Sequence, residues 1–244
     1  MAIAASTHVA IVATALVVLW DVYHSALQTF GLARIYDRLQ GNDPAAGRRL
    51  DLGLNLVLYI GPLVGGATMI AHAEKLEVLS DIGLLFFTEV PARVGSWQRY
   101  LAWGALIGGT AYVTLYVLRF LRLARQGHAI SGPKVFLLAS TGLCSVWVWG
   151  FNPWGQAFFI MNLFHAVQYL ALVWWSEGPR LQRRLRAGRA AVLLAFLGFA
   201  AAYGLMAELI TDEARLLWSL VQVVSLMHFF YDGFVWSVRR GDIL

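Results

Sequence analysis

Residues 189–209 read RAAVLLAFLGFAAAYGLMAEL, and between Arg189 and Glu208 the run carries no charge. A helix that crosses a bilayer needs about 20 mostly apolar residues, and buried helices of soluble proteins are usually shorter. Arg180, Arg183, Arg184 and Arg186 precede the run, and Thr211-Asp212-Glu213 follows it as a helix-start signal. The segment therefore reads as a membrane span with a basic side and a non-basic side.

Working outward, six more runs of this kind stand at roughly 8–33, 52–73, 99–121, 134–151, 155–176 and 214–237. The loops between them are short and polar, and Asn152-Pro153-Trp154-Gly155 is a tight turn signal. Met1 is followed by no basic n-region, so the first run is expected to be a retained helix rather than a signal peptide. Residues 76–90 are apolar but short, hold Glu77, Asp81 and Glu89, and end at Pro91. That stretch predicts an interfacial or re-entrant helix on the outer face. The expectation is an all-α fold, a seven-helix integral membrane bundle forming one domain over residues 1–244.

Charge sets the direction. Of the 19 Lys and Arg residues, fifteen fall after the first, third and fifth runs or in the tail. Only Lys75, Arg93, Arg99 and Arg215 fall on the other side. Basic residues collect in the cytoplasm, so the N-terminus is expected outside and the C-terminus inside. This predicts an integral protein of a bacterial cytoplasmic membrane. Apolar residues make up 59% of the chain and charged residues 14%, against about 25% charge in a soluble domain. Mean hydropathy is +0.63. Lipid is the expected surrounding partner. The basic loops need only topology and anionic head groups to explain them, which argues against nucleic acid. The one cysteine, Cys144, excludes internal disulfides and thiolate clusters. Trp97, Trp154 and Trp218 near one boundary and Trp174, Trp175 and Trp236 near the other fit an aromatic belt.

Polar side chains within lipid are costly and are the candidates for function. The first helix carries Trp20-Asp21-Val22-Tyr23-His24 and then Gln28; the fifth carries Asn162, Phe164-His165, Gln168 and Tyr169; the seventh carries His228-Phe229-Phe230-Tyr231-Asp232. Spacings of three and four place each set on one helix face. Counted from the nearest charge at the inner boundary, His24, His165 and His228 each lie roughly 15–18 Å deep, at 1.5 Å per residue. That is near the middle of a hydrocarbon core about 30 Å thick. Three imidazoles at one level suit a metal ion, with iron favoured over zinc and copper if oxygen is used. Asp232 is expected as a fourth ligand or base, and Tyr169 as a second catalytic group. Asp21, Gln28, Asn162 and Gln168 are expected to orient the rings. Trp20, Phe164, Phe229 and Phe230 are expected to line a pocket for a hydrophobic substrate. His72 lies off this level, and His8 and His128 read as solvated.

Phe164-His165-Ala166-Val167-Gln168-Tyr169 and His228-x-x-x-Asp232 resemble two motifs of the Brp/Blh-type carotene dioxygenases, membrane proteins with intramembrane histidines at a non-haem iron. The likeness covers about a dozen residues, and the glycine after the first histidine of the second motif is absent. The resemblance implies oxygen chemistry on a lipid-soluble substrate. Other architectures fit less well. Histidine-box desaturases need more histidines than the six present, and a rhodopsin needs a lysine in its last helix. The adiponectin-receptor group needs a second histidine where Asp232 stands.

The leading expectation is a membrane-embedded, metal-dependent oxidoreductase, a non-haem iron oxygenase served by an electron donor. Two alternatives share the same residues. One is a b-type haem electron-transfer subunit with two axial histidines. The other is a transporter or channel with a polar midplane site.

Overall fold

Apolar runs bounded by Gly, Pro and Asn fold here as long helices. The computed structural model describes residues 7–66 and 97–209, and most positions between 216 and 228. Its helices are α1 (Thr7–Leu39), α2 (Arg48–Gly65), α3 (Gln98–Arg125), α4 (Gly132–Phe151), α5 (Trp154–Leu185) and α6 (Arg189–Leu209). A shorter apolar helix, α7, covers Ser219–His228. The architecture is all-α. Among the described residues, four helices are long and apolar enough to cross a membrane: α3, α4, residues 156–185 of α5 and residues 189–206 of α6. The predicted helix over 76–90 lies outside the described residues.

Burial is inverted relative to a soluble protein. His24, Ser25, Thr29, Asn55, Thr141 and Ser145 are buried, whereas Leu143, Phe159, Leu194 and Phe199 are exposed. In water this arrangement would be unstable, because apolar exposure is unfavourable. In lipid it is the stable one: polar groups must find partners inside, and apolar side chains meet the acyl chains. These are the features of a membrane protein.

The chain forms two compact units. One comprises residues 21–163, and the other residues 1–20 with 164–244. In the first unit, α2 and α3 run antiparallel. Gly47 meets Phe120, Gly53 meets Tyr112, Val57 meets Gly109 and Gly65 meets Ala105. Gln98 closes this pairing by donating its side-chain amide to the Gly66 carbonyl. α2 and α4 run parallel: Asp51 bonds Lys134, Leu58 covers Gly142, and Gly66 lies on Trp149. α1 is antiparallel to α2, with Arg34 on Asp51 and Thr29 on Tyr59. A small apolar core of Ala26, Tyr59, Val148, Trp149, Ala157 and Met161 fills the centre of this unit.

The ends of α2 depart from the sequence expectation of 52–73. The helix starts earlier because Gly47 takes φ +69°, a left-handed turn that glycine adopts without strain. Arg48 and Asp51 then lie inside the helix, where Asp51 has partners. The helix stops at Gly65 because Gly66 is extended, with ψ 156°, and packs directly on the Trp149 carbonyl. α1 and α5 also run further than expected, to Leu39 and Leu185.

The Thr29–Tyr59 hydroxyl bond, 2.9 Å long and fully buried, joins α1 to α2. Tyr59→Phe is expected to lower stability by about 1 kcal/mol, the typical size of one interhelical side-chain bond. Thermal unfolding in mild detergent reads this directly, and no change would mean the bond has no net value.

Candidate functional site

In the second unit, His165 and Tyr169 stand one turn apart on α5, and His228 comes to them from α7. The His228 ring lies edge-on to Tyr169, with centroids 4.7 Å apart at 86°. It lies 6.3 Å from the His165 ring at 72°. Ring nitrogens of the two histidines lie within 4.8 Å of each other. Two nitrogens on one ion can be at most about 4.2 Å apart, twice a metal–nitrogen bond of about 2.1 Å. Small ring rotations close that difference. His165 is buried and His228 partly so, which keeps the pair out of bulk water. Gln168 and Phe164 on the same turns of α5 are partly buried.

No protein-family model, curated protein or solved structure matches this chain.

The pairing of His165 with His228 is the part of the expected site that lies within one unit. Trp20, in the same unit, is half-exposed. Phe229, Phe230 and Asp232 lie outside the described residues. In the first unit, Asp21 and His24 stand one turn apart on α1, and His24 is buried. The Asp21 carboxylate accepts a hydrogen bond from the Asn162 side chain of α5. Gln28, one turn further along α1, is partly buried. Asp21, His24 and Asn162 thus form a second polar group.

A larger feature of the first unit was not expected. Arg34 and Asp37 of α1, Asp51 of α2 and Lys134 of α4 form a closed square of charges. Asp37 Oδ2 accepts from Arg34 Nη1 at 2.7 Å and from Lys134 Nζ at 2.6 Å. Asp51 Oδ2 accepts from the same two groups, from Lys134 at 2.9 Å. The remaining oxygen of Asp51 accepts from the Tyr116 hydroxyl of α3 at 2.8 Å. The remaining oxygen of Asp37 faces His128 Nε2 at 3.8 Å. Arg34 also donates to the Pro44 carbonyl at 2.9 Å. Lys134 sits 4.2 Å from the centre of the Phe120 ring, a cation–π contact. Two loops are clasped beside the square, where Asn42 exchanges two 2.8 Å bonds with the backbone of Ala129.

All four charged side chains are 6% exposed or less. Two cations and two anions cancel, which is the arrangement that makes buried charge tolerable. By position Arg34 and Lys134 count among the fifteen basic residues of the inner side, and His128 reads as solvated. The His128 side chain is instead 6% exposed and covered by Phe120, with ring centroids 5.7 Å apart. One local signal was available: Asp37 follows Arg34 by three residues, the spacing of a helical ion pair.

Proposed function

We propose that this chain is a membrane-embedded, metal-dependent oxidoreductase, a non-haem iron oxygenase acting on a hydrophobic, lipid-like substrate. The observation that carries the reading is the His165–His228 pair, two imidazoles from different helices turned toward each other and sheltered from water. Imidazole is the commonest metal ligand. The third ligand in this reading is His24, supported by its matching depth in sequence. Asp232, four residues beyond His228, supplies a carboxylate. Histidines with one carboxylate are the donor set of non-haem iron oxygenases, which favours iron over zinc or copper.

The chain's own residues do the rest. Tyr169 packs edge-on against His228, restrains its ring, and is a proton donor beside the ligands. Gln168 on α5, and Asp21, Gln28 and Asn162 in the first unit, fix ring orientation and tautomer. Trp20, Phe164, Phe229 and Phe230 line the approach of an apolar substrate from the bilayer. When bound, iron supplies oxygen activation, with electrons from a separate donor. The proposed setting is a bacterial cytoplasmic membrane, with seven spans, the N-terminus outside and the C-terminus in the cytoplasm.

The test is metal content by mass spectrometry, with an optical spectrum, on detergent-purified wild type and His165→Ala. Stoichiometric iron in wild type, reduced at least tenfold in the variant, is the expected result. A Soret band lost in the variant would replace this reading with a haem protein. A folded wild type with neither metal nor chromophore would overturn it in favour of a permeation site.

A further inference from the structure

In the second unit, the stretch that joins α5 to α6 carries Arg180, Arg183, Arg184, Arg186 and Arg189, with no acidic residue among them. All of these arginines are exposed. Arg180 pairs with Glu177 at 2.9 Å. Among the described residues, nothing pairs with the other four. The preference for basic residues on one side of a membrane accounts for how many cations gather here. It does not account for where two of them stand.

Arg183 and Arg184 lie in the last turn of α5, where the helix dipole favours a cation. Arg186, just past that turn, has φ 51°, and among the described residues it is the only one other than glycine with a positive φ. In this left-handed region a Cβ crowds the backbone, so glycine is the residue that closes a helix without strain. Arg189 opens α6. The first turn of a helix carries partial positive charge, so its own backbone repels a cation placed there. One arginine is thus strained and the other repelled. Both side chains are exposed and unpaired among the described residues, so no internal contact offsets either cost. An anion outside the chain offsets both.

The surroundings say which anion. The apolar run of α6 begins at Arg189 itself, and Leu185, between Arg184 and Arg186, is exposed. A run that crosses a bilayer ends at the edge of the hydrocarbon, which is the level of the lipid phosphates. Guanidinium presents a planar fork of donors that fits two phosphate oxygens at once, and no lysine stands in this stretch. We infer that the α5–α6 turn binds the phosphodiester headgroup of an anionic phospholipid, with Arg186 and Arg189 as its main contacts. Arg183 and Arg184 add charge from the end of α5, and Leu185 meets an acyl chain. Occupancy of this site does not depend on what the histidine pair binds.

The test starts from the full chain in vesicles of equimolar dioleoylphosphatidylcholine and dioleoylphosphatidylglycerol. After extraction in a non-ionic detergent and gel filtration, mass spectrometry counts the lipids that travel with the protein. Phosphatidylglycerol is expected to be enriched about tenfold or more, the size that two arginines at the headgroup level supply. Arg186→Gly with Arg189→Gln is expected to lose most of that enrichment. Arg122→Gln with Arg125→Gln, which removes the same charge from the exposed end of α3, is expected to keep it. Thermal unfolding then separates a lipid site from solvated charge. In detergent without lipid, Arg186→Gly is expected to unfold no lower than wild type, because glycine relieves the strain. Added phosphatidylglycerol is expected to raise the wild-type midpoint above that of the variant. Equal loss of enrichment in the two double variants would overturn the site. So would a variant less stable than wild type without lipid, or a difference in midpoint that phosphatidylglycerol leaves unchanged. A wild-type rise given equally by inorganic phosphate would overturn the assignment to lipid.

Discussion

Lys134→Met is expected to destabilise the protein by about 3–5 kcal/mol, the cost of breaking a buried ion pair by removing one partner. Lys134 Nζ lies 2.6 Å from Asp37 and 2.9 Å from Asp51. Methionine keeps the volume and the contact with Phe120 but removes the charge. Arg34 alone is then left against two buried carboxylates. The repulsion between those carboxylates, not the lost bonds, dominates the cost. Asp37→Asn in the Lys134→Met background is therefore expected to restore most of the lost stability, because it returns the cluster to neutrality. Thermal or denaturant unfolding of the four proteins of this double-mutant cycle measures the coupling. Equal losses in Lys134→Met with and without Asp37→Asn would show that charge balance is not what holds the square together.

Gly66→Ala is expected to cost about 1–3 kcal/mol, the usual range for forcing extra atoms into a packed contact. A Cβ at Gly66 would meet the carbonyl of Trp149 and that of Pro62, both backbone atoms. No side chain can turn aside to admit it, so α2 and α4 must separate. Gly104→Ala is the control: its Cβ would meet nothing within 4 Å, and it lies inside α3. Alanine there is expected to raise stability by up to about 1 kcal/mol through helix propensity. Similar unfolding midpoints for the two variants would remove the α2–α4 contact as the reason α2 ends where it does.

Length and hydropathy made α4 and α6 legible to within two residues, and α3 to within four at its end, because a lipid-facing helix must be apolar throughout its span. The end of α2 was not, because Gly65-Gly66 could continue or stop a helix, and Trp149, far along the chain, decides the matter. The same contrast holds for the site. His165 and Tyr169 one turn apart, and His228 at matching depth, announced themselves through polarity in an apolar setting. The charge square did not. Its members flank the spans, where solvated charges are the rule, and its Lys134–Asp51 bond joins residues 83 apart in sequence. Only the fold brings such charges together, and only burial distinguishes them from the basic loops nearby.

That separation has a consequence for biogenesis. Asp37 and Asp51 leave the ribosome together with Arg34, the only one of the square's two cations made by then. At about 5–20 residues per second, Lys134 follows Asp51 by roughly 4–17 seconds. Throughout that interval the square lacks one of its two cations and cannot close. Arrival of α4 supplies Lys134, which bonds both carboxylates and ties α1, α2 and α4 together. The square is thus completed only once the fourth helix has been made, so the mutual fixing of α1 and α2 at this end waits on a later part of the chain.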